Sequence, residues 1–224
     1  MEILLIPVSV CLLLFLYHHL SHRQSVKLLH ILAVAVPVVE GLRILWMICL
    51  GEGDWVKLLP LHLCGLQVIF IPLAVFTKNR RFQSYVWATS ILGGIVAILY
   101  PSGIVETYPF FHFQTLQSFT LHILLILVPL LMFLCGEYHP GTADLSLMLP
   151  VLLAGASVAF AVDWIWDQNY MFLRCADGVP VVQALFDLGG YPLYWTILAT
   201  AVLAGSWIVL KLGEILDQKR QIKA

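Results

Sequence analysis

In a chain of 224 residues, two histidines and one cysteine stand in or at the start of long apolar runs. His62 and Cys64 occur in "LPLHLCGL" (Leu59 to Leu66), and His122 ends "FQTLQSFTLH" (Phe113 to His122). A thiol becomes a useful nucleophile when a neighbour creates or stabilises the thiolate, and a histidine supplies the base. On a helix His62 and Cys64 would point about 200° apart, so they cannot form a dyad with each other. The base for Cys64 must come from another segment, and His122 is the best histidine for it. His62 or Gln67, the latter three residues after Cys64 and on the same helical face, would then steady an oxyanion. Each residue also has a plainer role: Cys64 as a small buried hydrophobe, His122 and Gln67 as interhelical hydrogen bonds worth about 0.6 to 2 kcal/mol.

The elements that must position these groups follow from composition. The chain is 61% hydrophobic and 11% charged, with a mean hydropathy of +0.93, which predicts an integral membrane protein. Spanning helices need about 20 mostly apolar residues. Seven runs fit: Glu2 to Leu20, Val26 to Leu50, Leu58 to Phe76, Phe82 to Tyr100, Thr115 to Cys135, Leu145 to Trp166, and Gly189 to Leu210. The expected architecture is one all-α domain over residues 1–224, a seven-transmembrane helix bundle. The first run lacks a basic leader and a cleavage site and reads as a retained helix. With the N-terminus outside and the C-terminus cytoplasmic, nine lysines and arginines fall in cytoplasmic segments, against Lys57 and Arg174 opposite and Arg43 within a helix. That orientation places His62 and Cys64 one to two turns from the outer end of the third run, where Pro60 marks a helix start.

Other polar residues share the outer layer. Glu40 and Arg43 are three apart in the second run and can neutralise each other; the guanidinium fork of Arg43 would alternatively suit a lipid phosphate. Gln114, Ser118 and His122 form a stripe at i, i+4 and i+8, and Asp163, Asp167 and Asn169 close the sixth run. The inner halves of the third to seventh runs read as nearly featureless, which predicts a polar chamber opening toward the outer leaflet. The aromatic "YPFFHF" (Tyr108 to Phe113) reads as an interfacial belt. His18, His19 and His22 sit at the cytoplasmic end, and no HExxH or nucleophile-elbow spacing occurs, so no metal is expected. Of Cys11, Cys49, Cys64, Cys135 and Cys175, only Cys49 and Cys175 lie where a disulfide could form. The net charge of −1 invites no nucleic acid.

Four pieces together carry a resemblance: "LPLHLC" (Leu59 to Cys64), the "TLH" ending at His122, "NYMFLR" (Asn169 to Arg174) and "LFDLGGYPLYW" ending at Trp195. The chain, over about Glu40 to Trp195, resembles the YwaF-type integral membrane family of bacteria. Animal relatives of that family are described as phospholipid acyltransferases that work without acyl-CoA, moving an acyl chain from a phospholipid to a lysophospholipid. The resemblance implies acyl transfer through an acyl-enzyme, with a cysteine on the third helix and a histidine on the fifth. It also implies a bacterial inner membrane. In the animal members the cysteine directly precedes the histidine after the proline, where this chain has Leu61.

The reading is a membrane-embedded lipid acyltransferase or ester hydrolase without a soluble cofactor, acting on a phospholipid or lysophospholipid. Cys64, His122 and His62 are its catalytic candidates, and Gln67, Glu40, Arg43, Gln114, Ser118, Asp163 and Asn169 line its substrate site. The alternative from another class is a heptahelical transporter or receptor, with Glu40, Asp163 and His122 as substrate or proton carriers.

Overall fold

The computed structural model describes residues 4–51, 53–101, 104, 107–175 and 180–223, of which 180–182, 185 and 223 by backbone alone. Glu2, the expected start of the first run, lies outside the described residues. The chain is built from helices α1 (Leu5–His19), α2 (His22–Cys49), α3 (Trp55–Leu58), α4 (Gln67–Thr77), α5 (Arg80–Leu99), α6 (Phe113–Leu134), α7 (Asp144–Trp166) and α8 (Pro180–Lys223). Five of them, α2, α5, α6, α7 and the 186–222 part of α8, are long and apolar enough to cross a membrane. At about 1.5 Å per residue, α1 and α4 are shorter apolar helices, with 15 and 11 residues respectively. Each of the seven expected apolar runs contains a helix.

Local chemistry sets the boundaries. Ser21 and Gln24 form a reciprocal capping box that starts α2 directly after α1. Lys78 in the left-handed region (φ 53°) ends α4, and the Asn79 side chain caps α5. Gly136 (φ 73°) closes α6 by the pattern in which the last amides bond back to Phe133 and Met132 carbonyls. Near its start α8 is bent at Gly190 (φ 60°, ψ −159°), two residues before Pro192.

The third run departs from expectation. The run from Leu58 to Phe76 reads as one helix, but regular helix begins only at Gln67, and 59–66 is a compact turn. Pro60 therefore does not open a helix. A Cβ on Gly65 would lie 2.8 Å from the Pro60 carbonyl carbon and oxygen, so the turn closes on itself where only glycine fits. Its other contacts are distant in sequence: Leu61 and Leu66 pack with Ala159 and Tyr170, and Leu66 fills the space left by Gly155 of α7.

Two helices form the interior. The apolar windows of α5 and α6 are 67% and 61% buried, against 17% to 22% for α2, α7 and α8, whose outward faces are apolar. Helix α5 packs against α4, α6, α7 and α8, and α6 packs against α1, α2 and α5. In α5 residues Val86–Ser90 form a π-helical turn, an irregularity common near functional sites. Contrary to the expected nearly featureless half of the fourth run, buried polar residues accumulate here: Gln83, Ser84, Thr89 and Ser90, with the Tyr85 hydroxyl among them and the expected Gln67 of α4 beside them.

The Gly65 contact makes a prediction. Gly65→Ala forces the turn apart and lowers stability by about 1–3 kcal/mol. Gly41→Ala, where nothing lies within 4 Å of the new methyl, leaves stability unchanged or raises it. Thermal unfolding of the two variants in detergent measures the contrast; equal shifts would mean that the close approach does not hold the turn.

Candidate functional site

One face of α5 builds the floor of the site. Tyr85, Thr89 and Gly93 follow one another along it and meet the third segment in antiparallel order. The Tyr85 ring packs edge-on against Phe70 with centroids 4.9 Å apart. Gln67 Nε2 donates to Thr89 Oγ1 at 2.9 Å, and Cys64 Sγ lies 3.0 Å from where a Cβ on Gly93 would stand. Cys64 is thus held, partly buried, against the backbone of α5.

A second face of α5 meets α6. Ser90 donates to the Leu125 carbonyl, and Gly94 lies so close that a Cβ would come within 2.8 Å of the His122 carbonyl. Gly93 and Gly94 therefore stand between Cys64 on one side and the backbone of His122 on the other. His122 Nδ1 is 2.7 Å from the Ser118 carbonyl and 3.4 Å from Ser118 Oγ. A carbonyl only accepts, so Nδ1 carries the proton, and in the neutral ring Nε2 keeps its lone pair. The ring lines a cavity of about 90 Å³ with Ala97, Tyr100, Ile104, Ser118 and Phe119, room enough for water. Ala97 lies one turn beyond Gly93 along α5, so the His122 cavity is displaced about one turn along α5 from the Cys64 contact. Among the described residues no hydrogen bond joins Cys64 to His122.

The buried Glu40 of α2 binds both neighbours. Its Oε1 accepts from Arg43 at 2.6 and 2.9 Å, and its Oε2 accepts from Gln117 Nε2 of α6 at 3.2 Å. The carboxylate also lies within Coulombic reach of His122. Gln114 Nε2 donates to Met47 Sδ at 2.7 Å. Gln114, Ser118 and His122 do lie along α6 as a stripe, but their partners differ: Gln114 turns to α2, whereas Ser118 and His122 face the small cavity.

His62 lies elsewhere. It is exposed, accepts from the Met171 amide at its Nδ1 (3.3 Å), and stands edge-on to the Tyr170 ring at 5.0 Å. It lines an open cleft of about 700 Å³ with Lys57, Asn169, Tyr170 and Arg174. Because 59–66 is a turn, positions 61 and 64 face different walls, Leu61 toward α7 and Tyr170 and Cys64 toward α5.

A family model described as the TMEM164 family matches residues 1–211. The chain belongs to the TMEM164 family. No curated protein and no solved structure matches it. With its apolar helices, membership identifies this TMEM164 family chain as an integral, multi-pass membrane protein.

In this family member the segment "NYMFLR" forms a hydrogen-bonded cap over the turn. The fully buried Asp163 accepts from the Tyr170 amide at 2.7 Å through Oδ1, and the Tyr170 hydroxyl donates to the Val56 carbonyl. Asn169 Oδ1 takes the amides of Arg174 and Cys175, both at 3.1 Å, and Trp195 Nε1 donates to the Leu173 carbonyl at 2.7 Å. Asp167, Met171 and Phe172 are held in the left-handed region with φ of 56°, 53° and 58°. Burial raises the Tyr170 phenol above its ordinary range, and the nearby Arg43 guanidinium opposes that. Asp163 and Asn169 thus shape the cap. Cys49 and Cys175 are both exposed free thiols, so the contemplated disulfide is absent. No group of three His, Cys, Asp or Glu among the described residues is placed to hold a metal.

Sequence reasoning missed Tyr85, Thr89 and Ser90. The signal was a Tyr–Thr pair four apart inside an apolar run, the same spacing that drew attention to Ser118 and His122.

The Asp163 contact is testable. Asp163→Ala releases the Tyr170 amide, whereas Asp163→Asn keeps an acceptor. Hydrogen–deuterium exchange across 170–174 should rise about fivefold to tenfold in the alanine variant, the loss of one buried hydrogen bond, and much less in the asparagine variant. Unchanged exchange in both would show that the cap is held without Asp163.

Proposed function

We propose that the chain is a membrane-embedded lipid acyltransferase or ester hydrolase working through Cys64 and His122, in a seven-span arrangement with its N-terminus outside. The observation that carries this reading is the tautomer of His122: Nδ1 donates to the Ser118 carbonyl, so in the neutral ring Nε2 is a lone-pair base, and the residue lines a small cavity about one turn along α5 from the Cys64 contact. The resemblance to YwaF-type proteins supports the same chemistry.

In the proposed reaction an acyl ester enters from the outer leaflet with its carbonyl between thiol and imidazole. His122 Nε2 takes the Cys64 proton as sulfur attacks the carbonyl carbon. The tetrahedral intermediate collapses, the C–O bond breaks, and the leaving alkoxide of the lysolipid takes the proton from the imidazolium. A second lysolipid hydroxyl, or water, then attacks the thioester carbonyl, gives its proton to His122, and releases the thiolate, which recovers that proton. Nothing is oxidised or reduced. Because Gly93 and Gly94 of α5 stand between Cys64 and the backbone of His122, the reaction requires this part of α5 to shift so that ring and thiol meet at the bound carbonyl, as catalytic contacts commonly tighten only in the substrate complex. His62, tied to Met171 in the outer cleft, belongs to substrate entry in this scheme, with Arg43 and Asn169 on the same side.

The test is acylation by a long-chain activated ester, read by intact mass on the detergent-purified protein. An adduct on wild type, absent in Cys64→Ala and slowed about 10²- to 10⁴-fold in His122→Ala, is the expected result. Equal labelling in all three proteins removes the thioester. Lipid turnover that survives Cys64→Ala and fails in His122→Ala would instead assign His122 to activating water.

A further inference from the structure

Two polar atoms at the floor of the site have no partner although they are buried in the bundle. The side chains of Gln67 and Tyr85 are both fully buried, and Gln67 Oε1 and Tyr85 Oη make no hydrogen bond. They are an acceptor and a donor, they belong to facing elements, and Tyr85 lies among Gln67, Thr89 and Cys64. Leaving such groups unsatisfied costs about 1–3 kcal/mol each, and a third group that donates to one and accepts from the other would recover that cost. The Gln67 amide nitrogen is already committed to Thr89 and to the Leu63 carbonyl, which fixes Oε1 in place. The ring of Tyr85 is fixed against Phe70. Cys64, three residues before Gln67, is the movable group beside the Tyr85 phenol.

We infer that Gln67 and Tyr85 are positioning residues for the Cys64 sulfur, one serving each of its protonation states. After a rotamer change of Cys64 away from Gly93, the thiol S–H donates to Gln67 Oε1. When the proton leaves, the thiolate accepts from Tyr85 Oη, which replaces water as the donor to an anion inside the bundle. No bond other than S–H is made or broken, and the proton goes to the base of the proposed reaction or, in its absence, to solvent. The inference rests on Cys64 being the reactive thiol of the proposed function, but its own observable is the ionisation of that thiol, which needs no lipid. Tyr85 is the titratable side chain facing Cys64 from α5, with Gln67 and Thr89 as its uncharged polar neighbours.

The measurement is the pH dependence of Cys64 alkylation in the full-length protein, using a membrane-permeant maleimide and intact mass, in a background where Cys11, Cys49, Cys135 and Cys175 are serine. Tyr85→Phe keeps the ring and removes the donor. The midpoint should rise by about one pH unit, equivalent to about a tenfold loss of thiolate at a fixed pH below it. Phe70→Leu loosens the same ring and keeps the hydroxyl, and its midpoint should stay at the wild-type value. An unmoved midpoint in Tyr85→Phe, or the same rise in Phe70→Leu, overturns the inference, as does a wild-type Cys64 that stays unlabelled at every pH. A raised midpoint in Tyr85→Phe together with no acyl adduct on wild type leaves this inference standing and removes the acyl-enzyme.

Discussion

A polypeptide in lipid has to satisfy its own backbone, because each unpaired amide or carbonyl in hydrocarbon costs several kcal/mol. The third segment meets that constraint at its hardest, since residues 59–66 form a turn where an unbroken helix would have paired everything. The structure supplies partners from several directions. The amides of Leu66 and Gln67 bond within the turn to the His62 and Cys64 carbonyls, and the Leu63 carbonyl takes the Gln67 side chain. At the outer end, the Val56 carbonyl takes the Tyr170 hydroxyl from a loop more than a hundred residues later. Non-helical backbone at this depth is tolerable only inside protein, so the turn has to be wrapped by α5, α7 and the 167–175 cap.

That wrapping explains the glycines. Gly65 lets the turn close on Pro60, Gly155 gives Leu66 its seat on α7, and Gly93 lets the Cys64 sulfur approach α5. Gly94, the next residue, does the same for α6 at the His122 carbonyl. A helix with two adjacent glycines presents bare backbone over an arc of about 100°, enough to receive both the turn and α6. The thiol and the histidine are therefore held at neighbouring levels by one short piece of α5, not by any contact with each other. Ser90, one turn below Gly94 and bonded to the Leu125 carbonyl, fixes the register of that approach.

Much of this was legible. The apolar runs marked where the helices lie, five of them long enough to span, and Glu40 with Arg43 at i, i+3 form the expected ion pair. The stripe of Gln114, Ser118 and His122 was visible because α6 is regular. The turn was not visible, because nothing within Leu58 to Phe76 forbids a helix after Pro60. What breaks it is the fit of Gly65 to Pro60 together with the seat on Gly155 and Ala159, and the latter is a tertiary contact across some ninety residues. The buried polar floor was missed for a related reason: Gln67, Tyr85 and Thr89 become a group only once the turn sets the register of α4 against α5.

The same turn decides what a cysteine in this motif can do. Were 59–66 helical, positions 61 and 64 would share a face, and a thiol at either would reach the same chamber. In the folded turn they do not. Position 61 looks toward Ala159 and Tyr170, beneath the outer cap, while position 64 looks onto the Thr89–Gly93 stretch of α5. A thiol at 64 has the buried Gln67 and Tyr85 as its immediate polar neighbours and the His122 cavity about one turn along α5. A thiol at 61 would instead meet an apolar wall and the ring of Tyr170, whose hydroxyl is already committed to the Val56 carbonyl. Moving the sulfur by three residues along this segment thus changes which wall it meets, and in this chain Cys64 meets α5.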